Sequence, residues 1–281
     1  MDGKTVVITG ASSGIGLETA RALAQQGATI VLVVRSQERG QAAIAEIQRT
    51  TPGAKASLVL ADLYSLAEVR RAGAELRALP RIDVLVNNAG LIHGHRELTV
   101  DGFEKTFALN HLAAFLLTYE LRAKLAASAP ARVVTVSSAG HRMSQLAWDT
   151  VATRPRWPGQ TLVYGASKLC NIWFAREAAR RFAGKGVTSN ALHPGPVASA
   201  FGQSGSRLFQ VGMKLAKPFL LSPEEGARTS VYLASSPEVE GVSGSYFVKG
   251  KAAAPSRRAR DDDEAKRLWE LSETLCGVRW S

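Results

Sequence analysis

Cysteine is scarce in this chain: only Cys170 and Cys276 occur in 281 residues, far apart and outside any CxxC or Cys/His spacing. A disulfide framework and a cysteine metal site are thereby excluded, no other cluster has metal-ligand spacing, and a reducing, cytoplasmic setting is expected. Long apolar runs are also missing. No stretch reaches about 18 consecutive apolar residues, so no membrane-spanning helix is expected. Met1 stands only a few residues before the first β-like run, which leaves no space for a signal peptide. Flexible linkers, low-complexity tracts and internal repeats are absent as well. What remains is 46% hydrophobic and 21% charged residues, the composition of an ordinary globular protein, and one domain over residues 1–281 is the economical reading.

The formal charge of +11 raises the question of a nucleic-acid or anionic-membrane partner. Its distribution answers against both. The basic residues are scattered, and the one dense cluster, Arg257, Arg258 and Arg260, runs at once into Asp261, Asp262, Asp263 and Glu264 ahead of the helical pattern AKRLWELSETL. Acids at a helix start complement its dipole, as surface chemistry does. No nucleic-acid partner is expected.

Short β-branched runs alternate with helical stretches: KTVVIT, ATIVLVV, KASLVLA, IDVLVNN, ARVVTVSS, GVTSNALHPG and SGSYFVK are separated by amphipathic or apolar helices. Repeated strand then helix predicts an α/β fold, a single doubly wound Rossmann-type parallel sheet with helices on both faces and a short C-terminal helix. A cofactor half falls at about residues 1–138. The rhythm loosens at about 139–161 and 195–220, which predicts substrate-covering segments over a crevice at the strand carboxyl ends. Trp148, Trp157, Phe201, Phe209 and Phe219 in these segments suggest a moderately large apolar substrate, although aromatics there serve a core equally well. The helix around 103–127 is apolar on more than one face, which permits a homo-oligomer or burial within the chain.

The first β-run feeds TGASSGIG, with Gly10, Gly14 and Gly16 at the strand-to-helix turn and Ser12, Ser13 and Ile15 between them. Glycines permit a tight turn and close backbone approach, and the helix N-terminus offers free N–H groups to a pyrophosphate. An acid at the end of the second strand would accept a ribose 2′-hydroxyl, whereas a base would welcome a 2′-phosphate. That strand ends in Arg35, and Glu38 falls in the next helix start, so NADP(H) is expected, with Arg35 and Ser12 or Ser13 as phosphate contacts. A solvent-facing arginine would look the same. Asp62 and Leu63 after the third strand, and Asn88, Ala89 and Gly90 after the fourth, lie at the same sheet edge, within reach of an adenine or ribose.

Tyr164 and Lys168 are four residues apart at the head of a helix and share a face. Bringing a phenol from a pKa near 10 to near 7 takes about 4 kcal/mol. One ammonium about 4 Å away at an effective dielectric of about 20 supplies roughly that much. The pair can thus serve as an acid/base at neutral pH. Ser138, ending RVVTVSS, adds a hydroxyl aimed at a substrate oxygen.

The motifs TGASSGIG, NNAG, FALNH, the serines at 137 and 138, YGASK and HPGPV, in this order, resemble the short-chain dehydrogenase/reductase family over nearly the whole chain. The ending from SGSYFVKGK resembles its retinol dehydrogenase and carbonyl reductase subgroup. The resemblance implies an NADP(H)-dependent oxidoreductase that moves hydride between nicotinamide and a carbonyl or alcohol. Tyr164 would exchange the proton, Lys168 would hold the nicotinamide ribose and lower the tyrosine pKa, and Ser138, with Ser137 as the alternative, would orient the carbonyl. Asn110 would support the lysine through a water. The backbone from Pro194 and Gly195 to Val197 would meet the carboxamide, and Ser199 stands where the family often has threonine. The segment between Ser138 and Tyr164 is longer than in simpler members, suggesting a larger substrate cover, and the membrane anchor of several animal members has no counterpart. His93, His95 and His141 are candidate substrate contacts or structural histidines, and Cys170 is expected to pack. A competing class, an NADP(H)-binding sensor or interaction protein without turnover, would have no need of Tyr164, Lys168 and Ser138 together.

Overall fold

The computed structural model describes residues 1–144, 146–197, 206, 210 and 220–280. Seven β-branched runs form β1 (Thr5–Thr9), β2 (Thr29–Val34), β3 (Ala56–Leu60), β4 (Val84–Asn87), β5 (Ala131–Val136), β6 (Val187–His193) and β7 (Tyr246–Val248), joined by a two-residue β8 (Lys251–Ala252). They make one sheet in the order β3-β2-β1-β4-β5-β6-β7-β8, parallel except for the β7–β8 pair. The antiparallel β8 was not legible in the sequence: its two residues carry no apolar periodicity. Chain order reverses between β1 and β4, which opens a crevice at their carboxyl ends.

Helices cover both faces, as the expected doubly wound fold requires. On one side lie α1 (Gly14–Gln25), α2 (Gln37–Thr50) and α6 (Pro223–Ser235), packed over Val6, Ile8, Ile30 and Leu32. On the other lie α3 (Leu66–Arg77), α4 (Ala113–Ala127), α5 (Gln160–Arg181) and α7 (Asp262–Cys276), over Val7, Val31, Leu85 and Val133. Local chemistry sets the helix ends. Ser36 and Ser65 cap α2 and α3 through their hydroxyls, Ser222 and Glu225 form a reciprocal capping box ahead of α6, and Asp261 accepts from two backbone N–H groups at the start of α7.

The apolar surface of α4 and α5 is used inside the chain. Phe115 of α4 and Phe174 of α5 meet Trp269 of α7, the first edge-on at 5.0 Å and the second stacked at 5.9 Å. Trp280 closes the cluster against Trp269 and Phe182. Intrachain burial therefore accounts for the apolar faces of the 103–127 helix. The expected helix is also not regular: an α-turn at Lys105–Phe107 passes into a π-helical turn, Ala108–Leu112, before α4 begins.

Of residues 139–161, expected to cover the substrate, Ala139 lines the cleft. Further along, Val151 and Ala152 are buried in the core and Trp148 stacks on Trp173 at 5.8 Å. Trp148 and Trp157 do not line the cleft. The Trp148 indole packs, partly buried, against the core, the alternative that aromatic residues in a loosened segment always leave open. Ser199, Phe201, Phe209 and Phe219 lie outside the described residues. No described helix is long and apolar enough to cross a membrane.

Candidate active site

A cleft of about 1000 Å³ runs along the carboxyl ends of β1, β2, β4 and β5. At one end the glycine turn between β1 and α1 forms its floor. Gly10 and Gly14 have φ of +67° and +58°, a region open to glycine. A Cβ on Gly10 would come within 2.9 Å of Ala89 Cα, and one on Gly16 within 2.5 Å of Asn88 Nδ2 and 2.6 Å of the Gly10 carbonyl. Asn88 braces this turn by donating to the Thr9 carbonyl at 2.9 Å. Ser13 stands at the α1 N-cap without a side-chain cap bond, so the first N–H groups of α1 face the cleft rather than a hydroxyl. The bare backbone cradle and the open helix N-terminus fit the pyrophosphate of a dinucleotide.

The rim at the end of β2 carries two guanidinium groups. Arg35 is exposed there as expected, while Arg39, in the first turn of α2, also lines the cleft and donates to the Ser13 hydroxyl at 3.3 Å. Arg39 was missed in the sequence because it reads as a solvated helix residue. Glu38 sits in the first turn of α2, as its spacing predicted. Asp62, Leu63 and the unforeseen Tyr64 line the same end, and Asp62 Oδ1 accepts from the Tyr64 backbone.

At the other end Ser138, Tyr164 and Lys168 converge. Ser138 follows β5 and shares a hydrogen bond with the Tyr164 phenol, and its Oγ accepts from the Gly140 N–H at 3.1 Å. Ser137, the alternative, donates its hydroxyl to the Lys168 carbonyl at 2.6 Å and is thereby committed to holding α5. Lys168 Nζ donates to the Val136 carbonyl at 3.0 Å and lies 5.7 Å from the centre of the Tyr164 ring.

The electrostatics differ from the simple pair picture. Burial pushes Tyr164 up, partly offset by the Ser138 hydrogen bond, and burial pushes Lys168 down to about 7. The expected lowering of the tyrosine by Lys168 does not appear in this cleft, where desolvation of the phenol is the largest influence on it.

Asn110 sits in the π-turn behind the cleft wall and does not line it. Its amide donates to the Leu91 carbonyl and to Ser167 Oγ, and its oxygen accepts from the Leu91 N–H. A Cβ on Gly90 would lie 3.0 Å from Lys168 Nζ and 3.1 Å from Asn110 Oδ1, so the lysine and asparagine heads converge beside that glycine. Pro194, Gly195 and Val197 also line the cleft, with His193 an unforeseen neighbour.

The remaining candidates take structural places. His93 bonds the Tyr64 hydroxyl at 2.8 Å, and His95 pairs with Glu97 on the surface. His141 is buried and bonded at both ring nitrogens. Cys170 is fully buried, with its thiol pushed up to about 12 by burial, and packs as expected. No metal-ligating cluster occurs among the described residues.

Comparison with known proteins matches these features to a family. The model of the short chain dehydrogenases matches residues 4–207. The chain is 41% identical to mouse retinol dehydrogenase 12 over 99% of its own length and 88% of that protein, and 41% identical to human retinol dehydrogenase 14 with the same coverage. Among solved structures, an uncharacterized protein from Mycobacterium paratuberculosis superposes with a TM-score of 0.79 at 33% identity, over 100% of this chain and 96% of that one. The Pseudomonas aeruginosa RhlG/NADP complex superposes at 0.70 and 26% identity, over 88% and 94%.

Proposed function

The chain belongs to the short-chain dehydrogenase family, in its retinol dehydrogenase-like subgroup, and we propose that it is an NADP(H)-dependent oxidoreductase that interconverts a carbonyl and an alcohol, with Tyr164 as acid/base. The observation that carries this reading is the hydrogen-bonded Ser138–Tyr164 pair, with Lys168 buried beside it, on the wall of a cleft whose floor is the glycine turn.

NADPH, when bound, supplies the hydride. The chain supplies orientation and the proton. Ser138 Oγ holds the substrate oxygen, Tyr164 Oη delivers a proton to it during reduction, and the Lys168 ammonium, beside the ring, stabilises the tyrosinate that forms. Asn110 fixes the Leu91 loop and Ser167 against the lysine. Arg35 and Arg39 at the β2 end, with Glu38 committed to the α2 start, support a 2′-phosphate over a free 2′-hydroxyl. Leu91, Leu109, Val136, Ala139 and Leu220 along the cleft support an apolar substrate. The two relatives are retinol dehydrogenases by name, which brings retinoids into the set to be tried. Buried thiols at Cys170 and Cys276 suit a reducing cytoplasm.

The test is oxidation of NADPH and NADH against aliphatic, aromatic, steroid and retinoid carbonyls, with Tyr164→Phe beside the wild type. NADPH-preferring turnover of bulky apolar carbonyls is expected, falling about 10²- to 10⁴-fold in the variant with NADPH affinity retained. Tight cofactor binding with no turnover across the panel would make the chain a sensor instead.

A further inference from the structure

The stretch that follows β8, residues 253–280, lies beyond the residues shared with the family model, yet it touches every element that carries a catalytic group. His141 stands three residues after Ser138 and is 1% exposed. Its Nδ1–H donates to the Ser138 backbone carbonyl at 2.7 Å, and its Nε2 accepts from the Ser256 N–H at 3.0 Å. The two bonds fit only the neutral ring with its proton on Nδ1. Tyr246 closes the edge of the same ring at 5.4 Å.

His111, next to Asn110 in the π-turn, is equally buried. The Ser272 hydroxyl donates to the Leu268 carbonyl at 2.7 Å, so its oxygen is the acceptor for His111 Nε2–H at 2.8 Å. Phe107 and Phe174 enclose the rest of the imidazole. A third tie reaches α5, where the Trp173 indole N–H donates to the Arg258 carbonyl at 3.0 Å. A π-turn departs from the regular α-helical ladder, and Ser138 stands at the N-cap of a short 3-10 turn just after β5. Each needs an external anchor to hold a side chain to the tolerance that catalysis demands.

We propose that residues 253–280 are a positioning element of the active site, in which Ser256 through His141 sets Ser138 and Ser272 through His111 sets the π-turn of Asn110. The kinetic consequence rests on the oxidoreductase reading; the structural one does not. Ser256→Pro removes the backbone N–H that His141 accepts, while Ser256→Ala keeps it, and both lose the same hydroxyl. Ser272→Ala removes the acceptor of His111, while Ser272→Thr keeps it.

With the best carbonyl from the panel, Ser256→Pro and Ser272→Ala are expected to lose about ten-fold in kcat. KM and the NADPH Kd should stay within about two-fold of wild type, and Ser256→Ala and Ser272→Thr should keep their kcat. Hydrogen exchange by mass spectrometry on the cofactor-free full chain should show faster exchange confined to 138–143 in Ser256→Pro and to 108–113 in Ser272→Ala. Equal kcat in all four variants, or a fall in melting temperature with unchanged exchange at those two sites, overturns the proposal. If the wild type reduces no carbonyl, the oxidoreductase reading fails, and the exchange pattern alone still decides the positioning role.

Discussion

Arg39 in the first turn of α2 donates to the hydroxyl of Ser13 at the N-cap of α1, 3.3 Å away, and so joins the rim of the cleft at the β2 end to its glycine floor. With Arg35 beside it, the rim presents two guanidinium groups where a 2′-phosphate would lie. Charge-assisted hydrogen bonds are worth about 1.5–3 kcal/mol each. Arg39→Ala and Arg35→Ala are therefore each expected to weaken NADPH binding about 10- to 100-fold while changing NADH binding by less than about three-fold, as read by cofactor fluorescence titration. Equal losses for both cofactors would assign the arginines to general electrostatics.

Lys168 ties stability to pH. Its side chain leaves water on folding, and burial lowers it from 10.5 to about 7. Between those pH values the unfolded chain holds a proton that the folded chain has released, so stability rises with pH across this window, and the penalty is fully present below about 7. Lys168→Met removes that titration. In cofactor-free protein the variant should melt at a higher temperature than wild type, with a larger gain at pH 6 than at pH 9, and it should lose turnover. An equal gain at both pH values would mean that the lysine is not depressed.

The glycine turn separates two kinds of glycine. Gly16→Ala drives a methyl group to 2.5 Å from Asn88 Nδ2 and 2.6 Å from the Gly10 carbonyl, both fixed parts of the cradle. NADPH binding should fall at least ten-fold. Gly53 also has positive φ, +83°, but nothing lies within 4 Å of its added Cβ. Gly53→Ala should cost about 1–2 kcal/mol of stability and leave NADPH binding unchanged in the same titration.

The thiols give a readout of packing. Cys170 and Cys276 are both buried, and burial pushes each up to about 12. A thiolate is the reactive form, so neither should react with a disulfide reagent in the folded protein at pH 8, and both should react in denaturant. Rapid labelling of one thiol in native buffer would show that the α5 or α7 packing opens.

Much of this protein was written in local sequence. The strand runs were legible because β-branched residues buried on both faces leave unbroken apolar stretches, as in IVLVV. Gly10, Gly14 and Gly16 were legible because their spacing falls between a strand and a helix, and Tyr164 with Lys168 because four residues make one helical turn. Short-range geometry alone determines such features, so they survive without knowledge of the neighbours.

Tertiary structure decided the rest, through contacts between residues far apart in the chain. Arg39 became part of the cleft only when α2 was laid beside the β1–α1 turn, and Trp148 became core only when Trp173 was placed under it. The tyrosine is pushed up and the lysine down because burial, a property of the packed molecule, shifts both groups. His111, unremarkable in sequence, and His141, there a candidate substrate contact or structural histidine, found partners at Ser272 and Ser256 once the C-terminal segment folded back over the sheet. Desolvation and long-range hydrogen bonds depend on which surfaces meet, and a linear pattern of residue types does not carry that information.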